Sequence, residues 1–104
     1  MLALFVGMAL AAASSNDNGA RDAFASCLKG QLAKATEAKI DAAGFAAFAR
    51  TACAAQTSGF RNVLIANDIK AGWTRKKAEP DADAQIGDYF ADWADRFKDS
   101  LPAK

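Results

Sequence analysis

Two cysteines, Cys27 and Cys53, constrain this chain more than any other feature it carries. Each falls on an apolar stripe with helical spacing, and Ile40 lies midway, thirteen residues from either. An antiparallel hairpin turning near Ile40 sets the two side chains at equal height on facing helices. Packed helices approach closely enough for the short Cα separation that a disulfide requires. The pattern therefore predicts one cross-link, Cys27–Cys53, which in the chain-entropy account contributes roughly 3–4 kcal/mol. The other uses of two cysteines fit less well. Redox chemistry favours a close CxxC pair, zinc needs more Cys or His ligands, and free core thiols suit a cytosolic chain.

Apolar periodicity divides the chain into three helices. Ala20, Phe24, Cys27, Leu28, Leu32 and Ala35 recur at spacings of three and four, predicting a helix over 18–36 with Asp17 or Asn18 as its cap. Phe45, Phe48, Ala49, Ala52, Cys53, Gln56, Phe60, Val63, Leu64 and Asn67 hold one phase, predicting a helix over 41–71. Asp41 is its N-cap and Gly72 its left-handed stop. Thr57-Ser58-Gly59 is where a bend would be expected, but the stripe keeps its phase there and favours continuity. Proline is cheap at the first helical position and costly deeper in, so the third helix is placed at 80–100. Asp81 and Asp83 then occupy its first turn. Residues 74–79 form a lead-in turn capped by Thr74, with Trp73 packing onto Ala78. Ala82, Ile86, Tyr89, Phe90, Trp93, Phe97 and Leu101 make the buried stripe, and Pro102 ends it.

The expected fold is all-α: a disulfide-linked helical hairpin with a third helix packed on it, forming a single domain over 14–104. A chain of 104 residues has room for one core. Ala supplies much of its apolar content while adding little buried area, so the core leans on its Phe, Leu, Ile and Trp residues. A cross-link suits such a small core.

Leu2 to Ala13 (LALFVGMALAAA) is uncharged and apolar, and it runs into the polar turn Ser14–Gly19. That is the form of a secretory h-region and cleavage zone, so 1–13 is read as a signal peptide with the mature start near Ala12 or Ser14. The segment departs from the usual leader in having only the Met1 amine as positive charge; a buried N-terminal helix in a cytosolic chain is the alternative. Twelve residues are too few to span a bilayer. Phe24-Ala25-Ser26-Cys27 follows polar and charged residues, which disfavours lipid attachment. The expectation is export to a periplasmic or extracellular compartment, where a disulfide persists.

The chain has no histidine, which removes Ser-His-Asp and Cys-His nucleophiles, histidine bases and histidine-bearing metal sites. No Gly-rich phosphate loop is present. Net charge is +1, so no global field draws in nucleic acid. The charge is unevenly spread: ten Lys and Arg stand against five Asp and Glu from Ser14 to Lys77, and three against seven from Ala78 onward. Asp88, Asp92, Asp95 and Asp99, spaced four, three and four, line one face of the last helix. They form a possible interaction surface for a basic partner, or a solvated face offset by Arg96 and Lys98. Helix-loop-helix calcium binding is excluded by the missing loop ligands. Arg75-Lys76-Lys77 has no basic stripe behind it and reads as surface. No catalytic, cofactor or metal residue is expected.

With its apolar leader, Cys27 and Cys53 on consecutive helices, and Gly72-Trp73-Thr74-Arg75 before an acidic aromatic helix, the chain resembles short uncharacterised exported proteins of alphaproteobacteria over Arg21 to Phe97. The resemblance implies export and carries no catalytic residues. Binding of a protein or envelope component is the expected activity. The alternatives are carriage of an apolar small molecule or lipid, and hydrolysis by carboxylates alone.

Overall fold

Residues 17–102 are described by the computed structural model, and four α-helices account for most of them: α1 (Asp17–Glu37), α2 (Phe45–Ala52), α3 (Ala54–Lys70) and α4 (Arg75–Ser100), with a 3-10 turn at Ala42–Gly44. The apolar leader Leu2–Ala13 lies outside the described residues. The all-helical expectation holds, and so does the hairpin cross-link: Cys27 and Cys53 are joined, with Cα atoms 6.0 Å apart.

The hairpin turns where symmetry about Ile40 places it. At the end of α1 the Ile40 amide donates to the Ala35 carbonyl at 2.9 Å, and the Lys39 amide to that of Thr36 at 3.0 Å. This double bond satisfies the last carbonyls of the helix, and it needs a left-handed residue between helix and turn. Lys39 takes that role at φ 58°. Asp41 then starts the next element, its Oδ1 accepting from the Gly44 amide at 2.8 Å. A Cβ on Gly44 would stand 3.0 Å from that same oxygen, so glycine lets the cap close. Because a side chain in the left-handed region costs roughly 1–2 kcal/mol, Lys39→Gly should stabilise the protein by about 1 kcal/mol. Urea unfolding should show a higher midpoint at unchanged slope.

The return arm corrects the expected single helix over 41–71, and with it the count of three helices. It consists of the 3-10 turn, α2 and α3, with the break at Cys53 (φ −109°, ψ 27°). No glycine or proline marks the spot. Helical bonding continues on both sides: the Cys53 amide donates to Ala49, and Thr57 donates to the Cys53 carbonyl through its amide at 2.9 Å and its hydroxyl at 2.8 Å. Hydroxyl back-bonding of this kind bends helices. Packing supplies the rest of the cause. α3 runs beside α1 and α4, whereas α2 must close on the far half of α4, where Phe45 stacks on Phe97 with ring centroids 4.8 Å apart. One straight helix could not reach both. Thr57-Ser58-Gly59 lies inside unbroken α3, as its periodicity predicts.

The last helix is also longer than expected: it begins at Arg75 instead of 80, with Pro80 inside it. Gly72 (φ 104°) ends α3 in the predicted left-handed conformation, the Trp73 amide reaching back to the Asp68 carbonyl at 2.9 Å. Thr74 caps α4, accepting from the Lys77 amide at 3.3 Å. Ala78, in the turn before the proline, is fully buried. Holding that turn against the core offsets the one helical bond that Pro80 removes. Trp73 is half-buried, with the Lys77 ammonium 4.3 Å from its ring centre.

An aromatic cluster fills the space between the helices. Phe24 on α1 meets Phe60, Tyr89 and Phe90 at centroid distances of 5.4, 5.5 and 5.4 Å. Leu28, Phe45, Phe97 and Ile86 extend the core along the bundle. Ile65, which the apolar stripe left out, is buried beside Leu64 because α3 is covered by helices on two sides. Ile69, also outside that stripe, is 38% exposed.

Candidate functional site

Asp88, Asp92, Asp95 and Asp99 all stand exposed on α4, so the stripe is a face open to water. Arg96 Nε pairs with Asp92 Oδ2 at 3.2 Å, one helical turn away, and its guanidinium lies 4.4 Å from the ring centre of Trp93. This is the partial offset that the spacing predicts.

The structure divides the stripe. Asp88 and Asp92 border an open recess of about 300 Å³, whose described lining is completed by Gln85 and Tyr89. Asp95 and Asp99 lie further along the helix. Tyr89 is half-buried and held edge-on, its ring 5.5 Å from Phe24 on one helix and 5.5 Å from Phe60 on another. Two carboxylates thus flank an aromatic ring that the core keeps rigid. The arrangement suits a cation with an apolar stem: the charge meets the carboxylates while the stem lies along the ring. Sequence reasoning placed Tyr89 in the core stripe and passed over Gln85. The available signal was the spacing 81, 85, 88, 89, 92, which aligns these positions on one helical face.

A second acidic pair went unnoticed because its members sit on different helices. Asp68, in the last turn of α3, neighbours Asp81 on α4. Burial raises the Asp68 carboxyl above its ordinary range, and the neighbouring Asp81 raises it further. Asp68 Oδ2 is out of water with no donor. Asp81 Oδ2 accepts from the Gln85 side-chain amide at 3.0 Å, which ties the pair to the edge of the recess. Two residues beyond Asp81, Asp83 Oδ1 accepts from Arg61 Nε of α3 at 2.7 Å. That hydrogen bond lowers the Asp83 carboxyl and raises Arg61. Both groups of this pair are well exposed, so solvent screens it.

Around the disulfide, Cys53 is fully buried and Cys27 half-buried. Gln31, only 5% exposed, donates from Nε2 to the Cys27 carbonyl at 3.1 Å, while its Oε1 has no donor. Neither cysteine is free. Among the described residues, no group of three or more His, Cys, Asp or Glu side chains could hold a metal ion, and no helix is long and apolar enough to cross a membrane. No family model matches the chain, and no curated protein or solved structure shows significant similarity to it.

Proposed function

We propose that this protein is an exported, non-catalytic binding module that receives a lysine or arginine side chain of a protein or envelope partner in the recess on α4. The observation that carries the reading is the Tyr89 ring, fixed by Phe24 and Phe60 and flanked by Asp88 and Asp92. The disulfide and the apolar leader sequence support export, since a structural disulfide persists outside the reducing cytoplasm. A ring–cation contact at an exposed site gives about 0.5–1 kcal/mol, and exposed ion pairs give similar amounts. Binding through this recess is therefore weak for a single side chain, quick to form, and weakened by salt. A partner would gain affinity by setting further basic residues against Asp95 and Asp99.

Titration with a short lysine-rich peptide at low ionic strength tests this directly. The amides of Gln85 to Asp92 should shift together, and added salt should reverse the shift. Asp88→Asn with Asp92→Asn should weaken binding about tenfold, or roughly 1.4 kcal/mol, without changing the unfolding midpoint much. Equal affinity in the double variant would remove the recess from consideration.

A further inference from the structure

We infer that the corner between α3 and α4 is a docking surface for an anionic lipid bilayer, with Ile69 and Trp73 seated at headgroup depth and Lys70, Arg75, Lys76 and Lys77 against the phosphates. This goes beyond the binding reading and stands whether or not the recess takes a cation. From Ile69 to Lys77 the chain reads IKAGWTRKK, with four cations and no carboxylate. The structure sets this stretch at one end of the helix pair: α3 stops at Lys70, Gly72 turns the backbone at φ 104°, and α4 starts at Arg75. Every residue in it except the half-buried Trp73 is exposed.

Two observations point to the partner. Among the described residues, Ile69 is the one large apolar side chain left exposed, and it stands at this corner with Trp73. A tryptophan ring with one wet edge settles at the boundary between headgroups and acyl chains, and lysine and arginine stems lie along apolar surface while their charges reach outward to phosphate. Lys77 already takes that pose, its ammonium 4.3 Å from the centre of the Trp73 ring. The second observation is electrostatic. Arg75, Lys76 and Lys77 occupy the first turn of α4, the positive end of the helix dipole, and no acidic residue in that turn offsets them. Three cations there weaken the isolated helix, and an anionic surface reverses that penalty.

The carboxylates beside the corner leave this charge available. Asp68 and Asp81 are half-buried, and Glu79 pairs at 3.6 Å with Arg75, whose side chain stays 66% exposed. Among the described residues, Lys70, Lys76 and Lys77 form no ion pair. A bilayer fits better than nucleic acid, because the basic run is short, has no basic stripe behind it and carries an apolar tip. Each cation held within a Debye length of an anionic leaflet adds to the attraction. The fold also sets the orientation. Eleven residues, or roughly 16 Å of helix, separate Lys77 from Asp88. Anionic lipid attracts the corner and repels Asp88, Asp92, Asp95 and Asp99, so the recess faces away from the membrane.

Sedimentation of the full chain with vesicles of equal parts phosphatidylglycerol and phosphatidylcholine, at low ionic strength, tests this. The protein should partition at least about tenfold more strongly than onto phosphatidylcholine alone, and salt should release it. Lys70→Gln with Lys76→Gln and Lys77→Gln should weaken partition at least about tenfold, whereas the same loss of charge at exposed positions elsewhere, Lys29→Gln with Lys34→Gln and Lys98→Gln, should weaken it less than about twofold. Ile69→Ala should weaken it about threefold. The corner variant should melt no lower than the wild type, since it removes cations from the positive end of the α4 dipole. Brominated lipid should quench the fluorescence of the bound chain, and the quenching should disappear in Trp73→Phe, which keeps only the buried Trp93. Equal partition onto the two kinds of vesicle would overturn the docking surface, as would equal weakening by the two triple variants. Duplex DNA that displaces the protein from vesicles at equal phosphate concentration would reassign the corner to nucleic acid and overturn the lipid partner.

Discussion

Loss of the Cys27–Cys53 cross-link, by reduction or by the double substitution Cys27→Ala/Cys53→Ala, should lower the unfolding free energy by about 3–4 kcal/mol and the melting temperature by about 15–25 °C. The bridge spans 26 residues of chain and joins the mid-portion of α1 to the junction of α2 and α3. Most of its effect falls on the unfolded ensemble, which without it gains the freedom to separate the hairpin arms. The slope of urea unfolding should therefore rise as the midpoint falls, since a less restricted denatured chain exposes more surface. Thermal and urea melts with and without a reductant would show both changes. A shift of less than about 1 kcal/mol would mean that helix packing alone already restrains the hairpin in the unfolded chain.

Phe24→Ala should cost about as much, roughly 3–5 kcal/mol, for a different reason. Phe24 is fully buried and touches three other rings, Phe60, Tyr89 and Phe90, drawn from two helices. Truncation removes its transfer free energy and leaves a cavity bordered by rings, whose planar shapes collapse poorly into the space. Tyr89 would lose one of its two edge contacts, so its near-ultraviolet dichroism should weaken in the folded variant. Ile69→Ala offers the internal control. That side chain is 38% exposed, and its loss should change stability by less than about 1 kcal/mol. Equal costs at the two positions would contradict the placement of the core around Phe24.

The parts of this fold legible in the sequence were those governed by local chemistry or by a count along the chain. The turn near Ile40 follows from the equal thirteen-residue distances of Cys27 and Cys53 from it, and the stop at Gly72 from glycine's tolerance of positive φ. The left-handed Lys39 was not legible, because nothing about lysine announces that conformation. The break at Cys53 was hidden for a stronger reason: alanines flank it and the stripe keeps its phase, so only the requirement to cover both ends of α4 reveals it. Pro80 misled in the opposite sense. The rule against interior proline is a cost, and burial of Ala78 outweighed it. At the site, Asp88 and Asp92 stood out by helical spacing. Tyr89 was absorbed into the core because a half-buried ring reads in sequence like a buried one. Asp68 and Asp81 belong to different helices, and no periodicity joins such a pair.

The turn that joins α1 to the return arm has an outcome for the covalent life of the molecule. Ala38, Lys39 and Asp41 are exposed, and Lys39 offers a cleavage point for proteases that cut after basic residues. A cut there falls within the loop that the disulfide closes. The two pieces stay joined through sulfur, and the nicked chain keeps its mass, apart from one added water, until a reductant separates them.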